Sequence, residues 1–260
     1  MFSSAILWSG LSTIDGSPIA LIATGLERPS RNGKTGPMVQ TFIIRTDMSP
    51  IDAIVTGNDA AICGACPHRG VIEMLPGGET RNVGRACYVD VAKSVSAVYG
   101  AIPNYKRLTI AEGRAVLAGR LVRLGAYGDP AAVPFHIWDE LLADRKACTG
   151  YTHQWRQFPQ FKAYCMASCD NATDFADAKA DGWRTFRVRT ADEALAPREV
   201  VCPASDEAGA KTTCSACKAC GGLSSKAKAD IAIVVHGAAG KVRAFEAVKL
   251  ASVDNTPAIV

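Results

Sequence analysis

No apolar run in this sequence is long enough to span a bilayer, so no membrane helix is expected. Residues 1–26 hold short apolar pieces broken by Asp15, Gly16 and Pro18, without the basic start and cleavage pattern of a secretory signal. Motifs of nucleotide chemistry are missing too. The stretch Asn32–Gly36 (NGKTG) invites comparison with a P-loop, but G-x4-G-K-[ST] requires glycine where Arg28 stands, and Pro29 interrupts the loop. There is no G-x-S-x-G elbow, no G-x-G-x-x-G, no internal repeat and no low-complexity segment. Charge of one sign is scarce: a formal net charge of +4 permits contact with a polyanion without demanding it. What remains is an ordinary globular composition over 260 residues, which suits a single α/β domain whose core needs no staples.

Cysteine is what this chain has in excess. Without a secretory signal the expected compartment is the reducing cytoplasm, where ten cysteines read as metal or redox groups before disulfides. Cys202, Cys214, Cys217 and Cys220 form the denser group, within "CPAS" and "TCSACKACGG". C-x2-C-x2-C spacing lets one tight turn present successive thiolates to one centre. Four thiolates suit tetrahedral zinc or an iron–sulfur cluster. Gly221 and Gly222 give the backbone room to turn there. His236, at the end of an apolar strand, is an alternative ligand. Cys63, Cys66 and Cys87 form a second group, within "ICGACPHRG" and "RACYV". Three thiolates leave an open position at a catalytic metal or cluster, and His68 is placed to close it instead. Cys165 and Cys169 either contribute to the first of these groups or pack as small apolar residues, and Cys148 reads as core.

Strands alternating with helices predict parallel β/α units in a complete or partial TIM-like barrel. The expected domain covers 1–260, with a cysteine-rich loop at 63–87 and a metal knuckle at 202–222, a cysteine-rich metal-binding insertion near the C-terminus. Expected strands are Pro18–Thr24, Gln40–Arg45, Leu121–Ala126, Ala147–Tyr151, Phe161–Ala167, Thr185–Arg189 and Ile231–His236. Helical spacing marks Val89–Tyr99, Ile110–Gly119, Phe135–Arg145 and Thr173–Asp181. Asn255–Val260 reads as a loose tail.

In parallel α/β folds, sites form beyond the carboxyl ends of strands. Three successive strands here run into polar residues: Gly128-Asp129-Pro130, Thr152-His153-Gln154-Trp155 and Ser168-Cys169-Asp170-Asn171. Parallel neighbours would gather Asp129, His153 and Asp170 on one rim, able to share nucleophilic and acid–base work. Taken singly, Asp129 before Pro130 is also a turn former, and Asp170 or Asn171 an N-cap. Arg31, Lys34 and Arg69 are candidates to meet phosphates, and Trp155 to stack on a base. Arg184, Arg187 and Arg189 cluster along one strand.

The segments "ICGACPHRG", "RACYV", "GDP", "YTHQW" and "CSACKAC" together resemble a family of cysteine-rich phage and prophage proteins over roughly Gly36–Gly237. That resemblance implies a phage context and no particular activity. Cys214, Cys217, Cys220 and His236 resemble, in order, the zinc site of barrel transglycosylases that exchange guanine for a 7-deazaguanine. Asp129 or Asp170 would then be the carboxylate that attacks the sugar, although that family's D-S-G-G motif is absent and Cys202 is extra. The Cys63/Cys66/Cys87 set, with Tyr88 beside its last cysteine and Gly128-Asp129-Pro130 at a strand end, resembles radical SAM enzymes, although C-x3-C-x2-C is missing. The leading expectation is therefore a phage-type, zinc-containing enzyme of the cytoplasm that modifies a nucleobase in DNA by base exchange. Its alternatives are a radical SAM-like enzyme using an iron–sulfur cluster with S-adenosylmethionine, and a metal-stapled module that binds nucleic acid or protein without chemistry. The sequence leaves the oligomeric state open.

Overall fold

The computed structural model describes residues 2–30 and 32–254, and side chains up to Lys249. Arg31 and the tail expected at Asn255–Val260 lie outside the described residues. The strands are β1 (Ser4–Leu11), β2 (Pro18–Thr24), β3 (Val39–Arg45), β4 (Val71–Met74), β5 (Thr80–Val83), β6 (Lys106–Arg107), β7 (Leu121–Tyr127), β8 (Ala147–Thr149), β9 (Tyr151–Thr152), β10 (Met166–Cys169), β11 (Thr185–Arg189), β12 (Glu199–Val201) and β13 (Asp230–Val234).

Six strands form one sheet in the order β6-β1-β2-β3-β7-β8, and five form another in the order β12-β13-β11-β10-β9. A single residue, Gly150, separates β8 from β9, so one line of chain serves both sheets. A Cβ on Gly150 would lie 2.7 Å from Cys165 Sγ and 3.2 Å from Leu124 Cβ, which explains glycine at the junction. Within the two large sheets the pairings β3-β7-β8 and β9-β10-β11-β13-β12 are all parallel, while β4 and β5 form a separate antiparallel hairpin. β2 runs against both β1 and β3. The fold is thus mixed α/β with parallel strands, as expected. Among the described residues no pairing joins β6 to β12, so the strands do not close into a barrel. No helix of the described residues is long and apolar enough to cross a membrane.

The apolar run Pro18–Thr24 forms a strand because it is buried on both faces: Ile19 to Ala23 are all in the core. The main core also takes Trp138, Trp155 and Trp183, and a smaller one gathers Met166, Ile231 and Ile233 around Cys202 and Cys220. Helices Ile110–Leu117 and Phe135–Leu141 pack on each other, and Gly113 allows it: a Cβ there would meet Leu141 Cδ2 at 2.6 Å.

The predicted strand Phe161–Ala167 is corrected. Its first half is the 3-10 turn Pro159–Ala163, and pairing starts only at Met166. Pro159 opens that turn with its fixed φ, and Phe161 is packed edge-on against Phe135 instead of lying in a sheet. Strand β1, the β4–β5 hairpin and the last helix, Ala239–Asp254, are additions to the sequence-based elements.

Candidate metal and catalytic site

Both cysteine groups open on one cavity of about 420 Å³. It runs along one face of the parallel strands, past Arg123, Phe186 and Ile231, and reaches the residues beyond their carboxyl ends, where α/β folds place their ligands. Cys63, Cys66 and Cys87 line it, and so do Cys202, Cys214, Cys217 and Cys220. More than a hundred residues of sequence separate the two groups, and only the sheet brings them to one space.

The first group is built around a turn. Cys63 ends the short helix Ala60–Cys63, and Gly64 turns the chain at φ +54°. Gln154 clamps this turn: its Oε1 accepts from Ala65 N–H at 3.2 Å and its Nε2 donates to the Cys63 carbonyl at 3.1 Å. A Cβ on Gly64 would lie 2.4 Å from that amide, so glycine makes the clamp possible. The distance of Cys87 in sequence is explained by the hairpin β4–β5, which leaves and returns. Cys87 N–H then donates to the His68 carbonyl at 2.9 Å, beside Cys66.

The second group is held by the loop that mimics a P-loop. Cys214 N–H donates to the Lys34 carbonyl at 2.9 Å and Ser215 N–H to the Thr35 carbonyl at 3.1 Å. Thr213 caps the one-turn helix Cys214–Cys217, and Lys218 ends it in the left-handed region at φ +57°. Cys202 follows β12, with its N–H on the Ala232 carbonyl at 2.8 Å. The glycine pair sits where the sequence suggested. A Cβ on Gly221 would be 2.6 Å from the Cys148 carbonyl, and one on Gly222 (φ +55°) 2.5 Å from that of Lys162.

Burial pushes up the thiols of Cys63, Cys87, Cys202 and Cys214, and that of Cys220 to about 12. Neighbouring sulfurs add to the rise in each case. Such thiols become thiolates only beside positive charge, which a metal centre supplies. Fixed cations already stand by. The Arg85 guanidinium counters Cys87 and Cys63, and Arg123 counters Cys214.

Spacing bears on what the sulfurs hold. Four thiolates on one tetrahedral zinc, each at about 2.3 Å, stand about 3.8 Å apart. Among the described residues no three cysteine sulfurs lie within 4.8 Å of one another. An iron–sulfur cluster interposes several irons between its thiolates and spreads them wider.

The three strand-end residues meet. Asp129 follows β7, His153 follows β9 and Asp170 follows β10. Asp129 Oδ2 accepts from the His153 N–H at 2.8 Å, and Asp170 Oδ2 lies 3.2 Å from His153 Nε2. His68, placed by the sequence only as a ligand to the first cysteine group, joins Asp170 as well: its Nε2 is 2.8 Å from Oδ1. Burial pulls the His153 imidazole down, but Cys66 and Asp170 outweigh it and hold its pKa well above the usual value. Asp170 is likewise held low by His153 and His68 against burial.

Several candidates are corrected. Asp129 is not a free nucleophile: Oδ1 accepts from Ala131 N–H at 2.9 Å while Oδ2 serves His153, so both oxygens tie backbone. Arg69 is not available to phosphate, because it bonds Asp59 at 2.8 Å and the Gly57 carbonyl at 2.6 Å. Trp155 is 2% exposed and donates to the Ser168 carbonyl, a core side chain and no stacking platform. The arginines of β11 are buried in ion pairs, Arg187 with buried Glu199 at 2.6 Å and Arg189 with Glu207, and Arg184, just before the strand, donates to the Ala219 carbonyl. Phe186 and Val188, between them, face the cavity. Lys34 does line the cavity, with Nζ 3.3 Å from His236 Nε2. Sequence reasoning missed Arg123, a cavity-lining cation whose Nη2 donates to the Tyr88 hydroxyl at 2.7 Å. Its position in an alternating strand was the only available signal.

Comparison with family models, with curated proteins and with solved structures finds no match for this chain.

Proposed function

We propose that this protein is an iron–sulfur enzyme with two cysteine-held clusters opening on one chamber, where its substrate binds. One observation carries the reading: seven cysteines from two distant segments line a single cavity. The four-cysteine group is saturated by protein sulfur and serves as the auxiliary or electron-carrying centre. The three-cysteine group leaves one position open, and the likeness to radical SAM enzymes gives that position to S-adenosylmethionine. When bound there, the cluster and S-adenosylmethionine supply one-electron chemistry.

The chain's own residues do the rest. Gln154 sets the turn that presents Cys63 and Cys66. Arg85 and Arg123 offset thiolate charge at the two groups. Tyr127, Tyr151, Phe186 and Val188 keep the chamber apolar, and Lys34 and Arg123 can hold an anionic part of the substrate. A chamber of about 420 Å³ takes a small molecule or one extruded base, not a duplex. Base exchange, the leading expectation from the sequence, needs an attacking carboxylate; both Asp129 oxygens accept from backbone N–H groups, which leaves only Asp170 for that role.

Anaerobic purification with metal analysis tests this. The expected product is brown, with on the order of eight irons per chain if both clusters are of the four-iron type. Cys63→Ser and Cys217→Ser are each expected to lose about half of that iron. A colourless protein carrying zinc in both groups would overturn the reading and leave the metal-stapled binding module.

A further inference from the structure

A third set of ligand atoms adjoins the first cysteine group without including its sulfurs. We propose that His68, His153 and Asp170 form a mononuclear site for a divalent first-row metal ion. Their ligand atoms lie within 4.8 Å of one another, the one such group among the described residues. Two imidazoles and one carboxylate are a donor set that suits iron(II), manganese(II) or zinc and leaves positions open for water or a small ligand.

Three different segments deliver these side chains. His68 sits in the turn Pro67–Arg69, whose carbonyl is fixed by Cys87 N–H. The His153 backbone is fixed by Asp129, and Asp170 follows β10. The first ring is further set by Phe245, stacked on His68 at 5.4 Å and 22°. Such outer contacts are what hold ligands in place before a metal arrives. Exposure is low, at 14% for the His68 side chain and 20% for each of the other two.

Two nitrogens remain unsatisfied. His68 Nδ1 and His153 Nε2 are buried and make no hydrogen bond. His153 Nε2 is 3.2 Å from Asp170 Oδ2 yet off the direction of a hydrogen bond. A nitrogen and an oxygen that lie close without bonding each other have their lone pairs free for a common cation. The site also has access. His68, His153, Ser168, Asp170 and Phe245 line both the main chamber and a second cavity of about 300 Å³ beside the last helix. The metal would therefore stand between two spaces, reachable from either.

The test uses the full chain, purified anaerobically, and titrates it with manganese(II) alone while the electron paramagnetic resonance signal of the free ion is read. Manganese favours nitrogen and oxygen donors over thiolates, so the result is independent of the clusters. One manganese per chain is expected, weakened about tenfold or more in both His68→Gln and Asp170→Asn, by analogy with the cost of disturbing such sites. His136→Ala, an exposed histidine on helix Phe135–Leu141, is expected to bind as the wild type does. Circular dichroism melting checks that each variant is folded. Absence of binding in the wild type, or equal binding in either folded variant, would overturn the site and leave a hydrogen-bonded His–Asp–His tie. A brown protein that binds no manganese fails this inference alone, and a colourless protein that binds it fails the cluster reading alone.

Discussion

Asp129 joins three segments through its side chain and its own backbone N–H. Its Oδ1 holds the Pro130–Ala132 turn, its Oδ2 holds His153, and its own N–H donates to the Ile62 carbonyl at 2.6 Å, next to Cys63. From sequence, the residue had two readings, nucleophile and turn former, and the second describes its contacts. The prediction follows from burial. Asp129→Ala leaves two backbone N–H groups without their charged acceptor and should cost about 3 kcal/mol in urea unfolding. Asp129→Asn, which keeps one acceptor oxygen, should cost clearly less. Equal stability of the alanine variant and the wild type would sink this account. Trp155 and Arg69 teach the same lesson: residue type suggested a ligand, and only contact showed a core ring and a structural ion pair.

At the scale of elements, the hairpin β4–β5 decides whether Cys87 belongs to the first cysteine group. Its root is a buried carboxylate, Asp59, which is 0% exposed and bridges Arg69 and Arg85, each at 2.8 Å. Asp59→Ala strands two part-buried guanidinium groups, so a loss of about 3–5 kcal/mol is expected. Limited proteolysis should then cut first within residues 70–86, and a variant that resists protease there would contradict the role. The helix Ile110–Leu117 offers a pH test. Thr109 and Glu112 form a capping box, and the Glu112 carboxyl is lowered by the Thr109 N–H, then by Lys106 and the Thr109 hydroxyl. A lowered carboxyl stabilises fully above its unfolded value of about 4.3 and loses that contribution as pH falls through the folded value. The first turn should fray below that point in an NMR titration, and Thr109→Ala should cost about 1 kcal/mol at neutral pH. A helix terminus insensitive to both would refute the box.

For the whole molecule, the decisive feature is two sheets with parallel strands, joined where the chain passes from β8 through Gly150 to β9 and not closed into a barrel. Strand segments were legible both as a continuous apolar run, Pro18–Thr24, and as an alternating one, Thr185–Arg189, and both appear with the bounds their sequences suggest. Strand-end polar residues were legible as a rim because parallel neighbours present the same ends. The spacing of Cys214, Cys217 and Cys220 and the glycines after them also announced a tight turn, because that information is local: a few residues set both the turn and the positions of its sulfurs. Four things were not local. They are the return of Cys87 through a hairpin, the docking of the Lys34–Thr35 loop on the knuckle, the meeting of His68 with Asp170, and the shared chamber of the two cysteine groups. Each depends on which segments become neighbours, and that follows from sheet order and the burial of Gly150, Gly221 and Gly222 against other strands. Sequence by itself determined that this chain carries two groups of closely spaced cysteines. Tertiary structure alone decided that both thiolate groups serve one space, because close packing of distant segments is set by the whole core and not by any motif.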